Sequence, residues 1–459
     1  MPDTVVLGGG IIGLSTAYYL AQLSRESGLV QPAMAPLGDL SFRLHAELAE
    51  KNNGRARWGY SPSISYSLDR DSSVRGDSDT ESDQDPTSSH PCPPGLNSAL
   101  LKATRRCRIA EATAASTALE AAEEQRPVGA GAEEQAAADL AQANADAEVT
   151  ALAKDNPAAV DLAKLDEPFW LRTQPHAVQA ISDKTTTAQC NPHQLCEFLL
   201  DSCLAMGVRL HHPAQATRLF HADAKDPSSQ TMLEITCISK TSVGRTIRTG
   251  CYDVPCDSLV VAAGCWTPAA FSTLFPDAPR PPPIDRHAGF SLRVRSRHWQ
   301  PAPPYAGPCH AIFTSDPSGF SPELFTRVGR ELWIGGLNDA ELALPADPMD
   351  AQPEPDAIER MLAVGRELCG EDIEVIDSGV CFRPVTPSRK PIIARVDGEK
   401  LGSGVVPRAK AGAGVPGGVY VAAGHGPWGI SMSLGTGMVV AELVLGRETS
   451  ADVKLLGKW

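Results

Sequence analysis

The chain has 459 residues, of which 42% are hydrophobic and 21% charged, and its formal net charge is −14. That length accommodates two or three domains with a sizeable buried core. The acidic balance argues against a general nucleic-acid binder, which would present a basic surface, and no apolar run reaches the roughly 18 residues of a membrane span. Met1-Pro2-Asp3-Thr4 leads straight into an apolar strand with no basic region before it, so no secretory leader is expected. The 12 cysteines are scattered without a CxxC pair. They are expected to be reduced thiols of a cytoplasmic protein, and no metal ligand set is assigned.

Residues 4–20, TVVLGGGIIGLSTAYYL, read as a short apolar strand, a glycine turn and a helix with Leu14, Ala17, Tyr18 and Leu20 on its inner side. A second helix is expected over 38–51, where Leu40, Leu44, Leu48 and Ala49 recur at helical spacing. From Leu68 the composition changes. Residues 68–95 are rich in Ser, Asp, Pro and Gly, and 98–165 are rich in Ala with Glu, Asp and Gln but lack a large apolar stripe. The segment reads as a solvated low-complexity insertion with frayed helices, or alternatively as a partner-binding arm.

Order resumes near Phe169-Trp170. The pattern predicts a helix over 191–206, a strand over 207–219, a hairpin from 232–238 and 245–252, and a buried strand over 258–264. Further strands are expected at 289–295, 309–315 and 332–337, a helix at 355–369, and one or two strands between 373 and 396. A strand at 417–426 and a helix at 430–446, closed by Gly446, end the series.

Four motifs carry chemistry. The first is Gly8-x-Gly10-x-x-Gly13, between a strand and a helix that opens with Ile11 and Ile12. Gly8 permits the tight turn, Gly10 lets a pyrophosphate approach the backbone, and Gly13 lets helix and strand pack closely. The helix N-terminus then offers N–H donors and a positive dipole end to phosphate. The acid that should follow about 20 residues later to hold a ribose is missing from 21–37, AQLSRESGLVQPAMAPL; Glu26 stands too early and no apolar strand surrounds it. The second motif is VVAAG at 260–264 with Cys265, Trp266, Thr267 and Pro268, a strand ending in glycine where a chain reversal can pass near a cofactor. In the third, Gly424-His425-Gly426-Pro427-Trp428-Gly429 delivers a strand to a helix N-terminus through Ile430 and Ser431. Such a terminus stabilises negative charge, and His425 there reads more readily as structural than as catalytic. The fourth is Cys381-Phe382-Arg383-Pro384, in which an arginine just after a strand is a plausible carboxylate clamp because its planar fork pairs bidentately.

The order of these motifs resembles the FAD-dependent oxidoreductases of the D-amino-acid oxidase, glycine oxidase and sarcosine oxidase superfamily. Within it the chain is similar to a fungal branch, some of whose members are linked to endosomal trafficking. The resemblance covers part of 3–67 and roughly 168–450, and excludes 68–165. It implies an α/β fold: a Rossmann-like FAD-binding domain, a second α+β substrate domain carrying an antiparallel sheet, and the low-complexity insertion. Its boundaries would be 1–67, 166–280 and 381–459 for the FAD domain, 68–165 for the insertion and 281–380 for the substrate domain.

The same resemblance places Gly8, Gly10, Ile11, Ile12 and Gly13 at the FAD pyrophosphate, and Gly264 and Trp266 along the cofactor. Gly424, His425, Gly426, Gly429, Ile430 and Ser431 would frame the flavin ring, and Arg383 would hold a substrate carboxylate. It departs at 24–36, as though about 30 residues of the usual βαβ unit were absent, which predicts a weakened hold on FAD. The implied reaction oxidises the C–N bond of a small amine or amino acid, with oxygen as the final acceptor; from composition, neither a nucleic-acid partner nor a membrane span is expected. Two other readings are an interaction protein on a flavin fold, acting through the insertion or in trafficking, and a nicotinamide-dependent dehydrogenase. The C-terminal motif argues against the latter.

Overall fold

The computed structural model describes residues 3–23, 37–68, 108–110, 167–172, 178–226, 228–241, 246–301, 307–316, 319–402, 404–409 and 415–459. In chain order the elements are β1 (Thr4–Leu7), α1 (Ile11–Leu23), α2 (Leu37–Lys51), α3 (Gly54–Trp58), β2 (Ser61–Leu68), β3 (Arg108–Ala110), β4 (Val178–Ala180), β5 (Thr187–Gln189), α4 (Pro192–Ala205), β6 (Ala214–His221), β7 (Thr231–Lys240), β8 (Thr246–Pro255) and β9 (Ser258–Val261). They continue with α5 (Thr267–Leu274), β10 (Asp285–Arg295), β11 (Cys309–Thr314), β12 (Glu323–Arg327), β13 (Glu331–Gly335), β14 (Asn338–Asp339), α6 (Pro355–Cys369), β15 (Glu374–Val385), β16 (Ile392–Arg395), β17 (Gly418–Ala423) and α7 (Ser433–Val444).

Continuous apolar runs without polar alternation belong to parallel strands covered on both faces. SLVV at β9 and GVYVAA at β17 are such runs, and every residue of both is buried. With β1 they make a sheet of order β1-β9-β17-β16, parallel except for β16. One face is covered by α1, α2 and α7 through Tyr19, Leu20, Leu40, Leu44, Leu434 and Val440. The other is covered by α5 and the antiparallel sheet β6-β7-β8, through Phe271, Phe275 and Leu233. Helices α1 and α7 cross closely enough that a methyl group at Gly437 would lie 2.5 Å from the Ser15 backbone.

The larger sheet runs β14-β10-β13-β12-β11-β2-β5-β3, with β15 on the other side of β10 and β4 on β2. Helix α6 covers it with Met361, Val364 and Leu368 against Leu292 and Ile334. Its apolar residues repeat at helical spacing, so one stripe is buried and the rest stays solvated.

Several expectations shift. The strand expected over 207–219 begins only at Ala214, and the helix expected at 430–446 begins at Ser433, after a 3₁₀ turn at Gly426–Trp428. On α1, Tyr19 and Leu23 are buried while Ala17 and Tyr18 are partly exposed. Strand β12 and helix α3 carry no clear periodic signal in the sequence and are settled by pairing and packing, whereas β2 alternates serine with Ile64, Tyr66 and Leu68 and was not among the expected strands. The insertion lies outside the described residues except for Leu68, which ends β2, and Arg108–Ala110, which pair with β5. Residues 24–36, where the second strand of the βαβ unit was sought, are also outside them. Among the described residues no helix is long and apolar enough to cross a membrane.

Candidate cofactor and substrate site

Strand β1 pairs in parallel with β9, so the turn after Leu7 sits over the residues that follow Val261. Gly8 has φ 118°, and a methyl group there would lie 2.3 Å from the Ala262 carbonyl oxygen. At Gly13 it would lie 2.0 Å from the Gly8 carbonyl oxygen. Both positions therefore require glycine. Gly10 differs: nothing lies within 4 Å of its missing side chain, so its backbone faces open space. Ile11 and Ile12 open α1 and are partly buried. The first helical bond is Leu14 N to Gly10 O at 2.9 Å, and the first turn contains no acid. The N–H groups of that turn have no partner within the helix, and no acid of the turn itself offsets its positive end.

The second motif meets the substrate sheet. Gly264 takes a positive φ and starts the turn Gly264–Trp266. Cys265 Sγ contacts the Phe382 carbonyl at 3.1 Å, and Trp266 Nε1 donates to the Pro345 carbonyl at 2.8 Å. The Trp266 and Phe382 rings meet edge-on with centroids 6.5 Å apart.

The third motif reaches the same strand from the other side. A methyl group at Gly424 would lie 2.6 Å from Thr386 Cγ2, and one at Gly426 would lie 3.9 Å from Val385 Cγ1. Thr386 Oγ1 donates to the Lys390 carbonyl at 2.7 Å. His425 is 2% exposed, with Nε2 3.0 Å from Thr436 Oγ1 and, among the described residues, no partner for Nδ1. Burial pushes its pKa down to about 4, so the ring is neutral near pH 7. Ser431 is buried and donates to the Trp428 carbonyl at 3.1 Å, while Gly429 and Ile430 are partly exposed. Behind the loop stands His45, a residue the sequence did not single out. Its Nε2 bonds the Ile430 carbonyl at 3.1 Å, and burial pushes its pKa to about 4 as well.

Arg383 was expected just after a strand. It lies inside β15, directly opposite His287 of β10. Its guanidinium lies against the backbone of Gly289, where a methyl group would come within 2.7 Å of Nη1 and 2.9 Å of Cζ. Arg383 Nη1 donates to Asn338 Oδ1, and Asn338 Nδ2 in turn donates to the Gly336 carbonyl at 3.1 Å. Burial first, and the neighbouring Arg383 charge second, push the His287 pKa down. Asn338, Gly289 and His287 escaped the sequence reading because only cross-strand register places them at Arg383.

The last residues of β15 thus join three motifs: Phe382 touches Trp266, Arg383 faces the sheet, and Val385 and Thr386 back the Gly424–Gly426 turn. The residues present fit a dinucleotide cofactor. Gly10 leaves the space that a side chain would fill, at a helix end with unspent N–H donors, as bound pyrophosphate requires.

A search of solved structures finds the same architecture. Glycine oxidase from Geobacillus kaustophilus matches with a TM-score of 0.56 and 16% identity, over 99% of this chain and 97% of that one. Iminodiacetate oxidase from Chelativorans sp. BNC1 gives 0.54 and 16%, over 99% and 98%. L-amino acid deaminase from Proteus vulgaris gives 0.54 and 14%, over 99% and 96%. At such identities the likeness is one of fold. The oxidoreductase-like protein C1F5.03c of Schizosaccharomyces pombe is 29% identical over 206 residues, 43% of this chain and 44% of that protein, so the chain spans less than half of this curated relative's length. The family model described as DAO, FAD dependent oxidoreductase, matches residues 3–443, and the chain belongs to that family of FAD-dependent oxidoreductases.

Proposed function

We propose that the chain oxidises the C–N bond of a small amino acid whose carboxylate is held by Arg383. One observation carries this reading: the only arginine among the four motifs stands one residue from the aromatic contact with Trp266 and three before Thr386, which backs the Gly424 turn. The neighbours named above are an oxidase of glycine, an oxidase of iminodiacetate and a deaminase of L-amino acids. Each of these molecules carries nitrogen next to a carboxylate-bearing carbon, which supports the assignment.

In this reading Gly8, Gly10, Gly13 and the start of α1 hold the FAD pyrophosphate. Gly264 and Trp266 run along the cofactor, and Gly424, Gly426, Gly429, Ile430 and Ser431 border the ring. When bound, FAD supplies a hydride acceptor that oxygen can reoxidise. Arg383 binds the carboxylate and so orients the carbon that loses hydride. Asn338 and the bare backbone at Gly289 keep the guanidinium in place. His425 and His45 support the loop as neutral rings and transfer no proton. If the substrate nitrogen arrives uncharged, the chemistry needs no protein acid or base, and the imine product hydrolyses in water. Free thiols throughout the described residues support a cytoplasmic setting.

The test is oxygen consumption by FAD-supplemented protein offered glycine, sarcosine, D-alanine and L-proline, beside benzylamine as an amine without a carboxylate. The reading expects turnover of at least one amino acid and none of benzylamine. Turnover of benzylamine alone would remove the role given to Arg383.

A further inference from the structure

At the other end of the large sheet, away from Arg383, a cavity of about 200 Å³ opens between the N-terminus of α4 and the turn joining β12 to β13. It is lined by Arg327, Arg293, Glu331, Gln194, Asn191 and Cys190, among others. Arg327 is only 8% exposed. Among the described residues its side chain makes a single hydrogen bond, from Nη1 to the Cys190 carbonyl at 3.2 Å, and its Nε is buried without a partner. A guanidinium carries five N–H donors and no acceptor. Leaving most of them unmet in the interior is costly unless something else enters. Burial pushes the pKa of this arginine down to about 10, and the nearby Glu331 charge opposes that only in part.

The other charges at the cavity do not fill that need. Glu331 gives its Oε2 to Arg293 Nη1 at 3.1 Å and makes no bond to Arg327. Arg293 is further held by Asp377. The start of α4 adds its positive end, with Asn191 Oδ1 accepting from His193 N and Gln194 N. The nearest ionisable groups on that helix, His193 and Glu197, pair with each other at 3.5 Å. Cys190 and Cys309 stay protonated because burial raises their pKa values.

We propose that this cavity is a binding site for a small carboxylate, held side-on by the Nε edge of Arg327 next to the N-terminus of α4. The planar edge of a guanidinium presents two parallel N–H groups that match the two oxygens of a carboxylate. With Nη1 committed to Cys190, the Nε edge is the one left to pair. The volume holds a molecule of a few heavy atoms, the size of acetate or pyruvate. The site is separate from Arg383 and does not depend on the reaction assigned there.

The experiment is isothermal titration of the full-length protein with sodium acetate and with sodium pyruvate, at constant ionic strength set by chloride. Three variants accompany the native protein: Arg383→Ala, Arg327→Lys and Gln194→Glu. Gln194 is exposed, and an acid in the first turn of a helix is well tolerated, so this variant keeps the fold even if Arg327→Lys does not. The proposal expects saturable binding that survives Arg383→Ala and weakens about fivefold or more in Gln194→Glu, where a like charge is set at the cavity rim. No saturable binding, binding abolished by Arg383→Ala, or binding unchanged in Gln194→Glu would overturn it. Tighter binding of inorganic phosphate than of acetate would overturn the carboxylate assignment.

Discussion

The carbonyl oxygen of Ile430 accepts the Nε2 hydrogen of His45 at 3.1 Å, and it also accepts the Ser433 hydroxyl at 2.8 Å. This pair ties α2 to the loop that leads into α7, with Ser41 Oγ accepting from Gly435 N at 3.0 Å one turn away. The loop assigned to the cofactor ring is therefore fixed from behind by a helix far away in sequence. Replacing His45 with Leu removes a buried donor and leaves the carbonyl short of one partner. The expected cost is about 1–3 kcal/mol, read as a lower midpoint in urea unfolding. An unchanged midpoint would show that the tie contributes nothing.

Both His45 and His425 have pKa values pushed to about 4 by burial, below the ordinary 6.5. The unfolded chain therefore binds more protons than the folded one between those values. The stabilisation from keeping these rings neutral is full above pH 6.5 and declines as the pH falls towards 4, by up to about 1.4 kcal/mol per pH unit for each ring. Unfolding free energy measured from pH 7.5 to 4.5 should fall in this window, and the His45→Leu variant should show a shallower slope. Equal slopes in the two proteins would contradict the assignment.

Arg383 and Gly289 act as one unit. Arg383→Ala is expected to lower kcat/KM for the preferred amino acid by about 3 kcal/mol, over a hundredfold, without altering bound FAD. Gly289→Ala should reproduce part of that loss, because its methyl group claims the position of the guanidinium, 2.7 Å from Nη1. Steady-state kinetics of the two variants settle the point. A Gly289→Ala enzyme with native KM and kcat would show that the guanidinium is free to lie elsewhere.

Much of this was legible in the residues. Gly8 and Gly10 occupy the turn and Gly13 the first turn of α1 as their spacing announced, since a strand before and a helix after leave glycine few other duties. The buried apolar runs of β9 and β17 were equally plain. Strand β2 alternates serine with Ile64, Tyr66 and Leu68, a strand pattern that was present but not used, while its partners β11, β4 and β5 lie too far off in sequence to be read locally. The setting of Arg383 was hidden for a similar reason. Its partners Asn338 and Gly289 are set by register across β10, and nothing local in the sequence marks them.

The phosphate turn and the ribose hold can be separated by mutation. A Cβ at Gly10 meets nothing within 4 Å, so Gly10→Val should leave the melting temperature of the FAD-free protein unchanged while abolishing FAD binding. Gly13→Ala forces a methyl group against the Gly8 carbonyl and should lower that temperature too. Since the sequence of 21–37 offers no apolar run ending in an acid, FAD is expected to bind without a ribose acceptor worth about 1–3 kcal/mol, ten- to a hundredfold in affinity. Inserting a strand with a terminal acid after Gln22 should restore it. Fluorescence titration with FAD reads all three, and tight stoichiometric binding by the native chain would show that another residue holds the ribose.

The central claim is an FAD-dependent amino acid oxidation oriented by Arg383, and anaerobic mixing tests it most directly. Protein saturated with added FAD is combined with glycine, sarcosine, D-alanine or L-proline in the absence of oxygen, and the visible absorbance of the flavin is followed. The account predicts saturable bleaching by at least one of these amino acids, restored on admitting air and lost in Arg383→Ala. Absorbance that persists with every amino acid, or bleaching that is the same in Arg383→Ala, would contradict it.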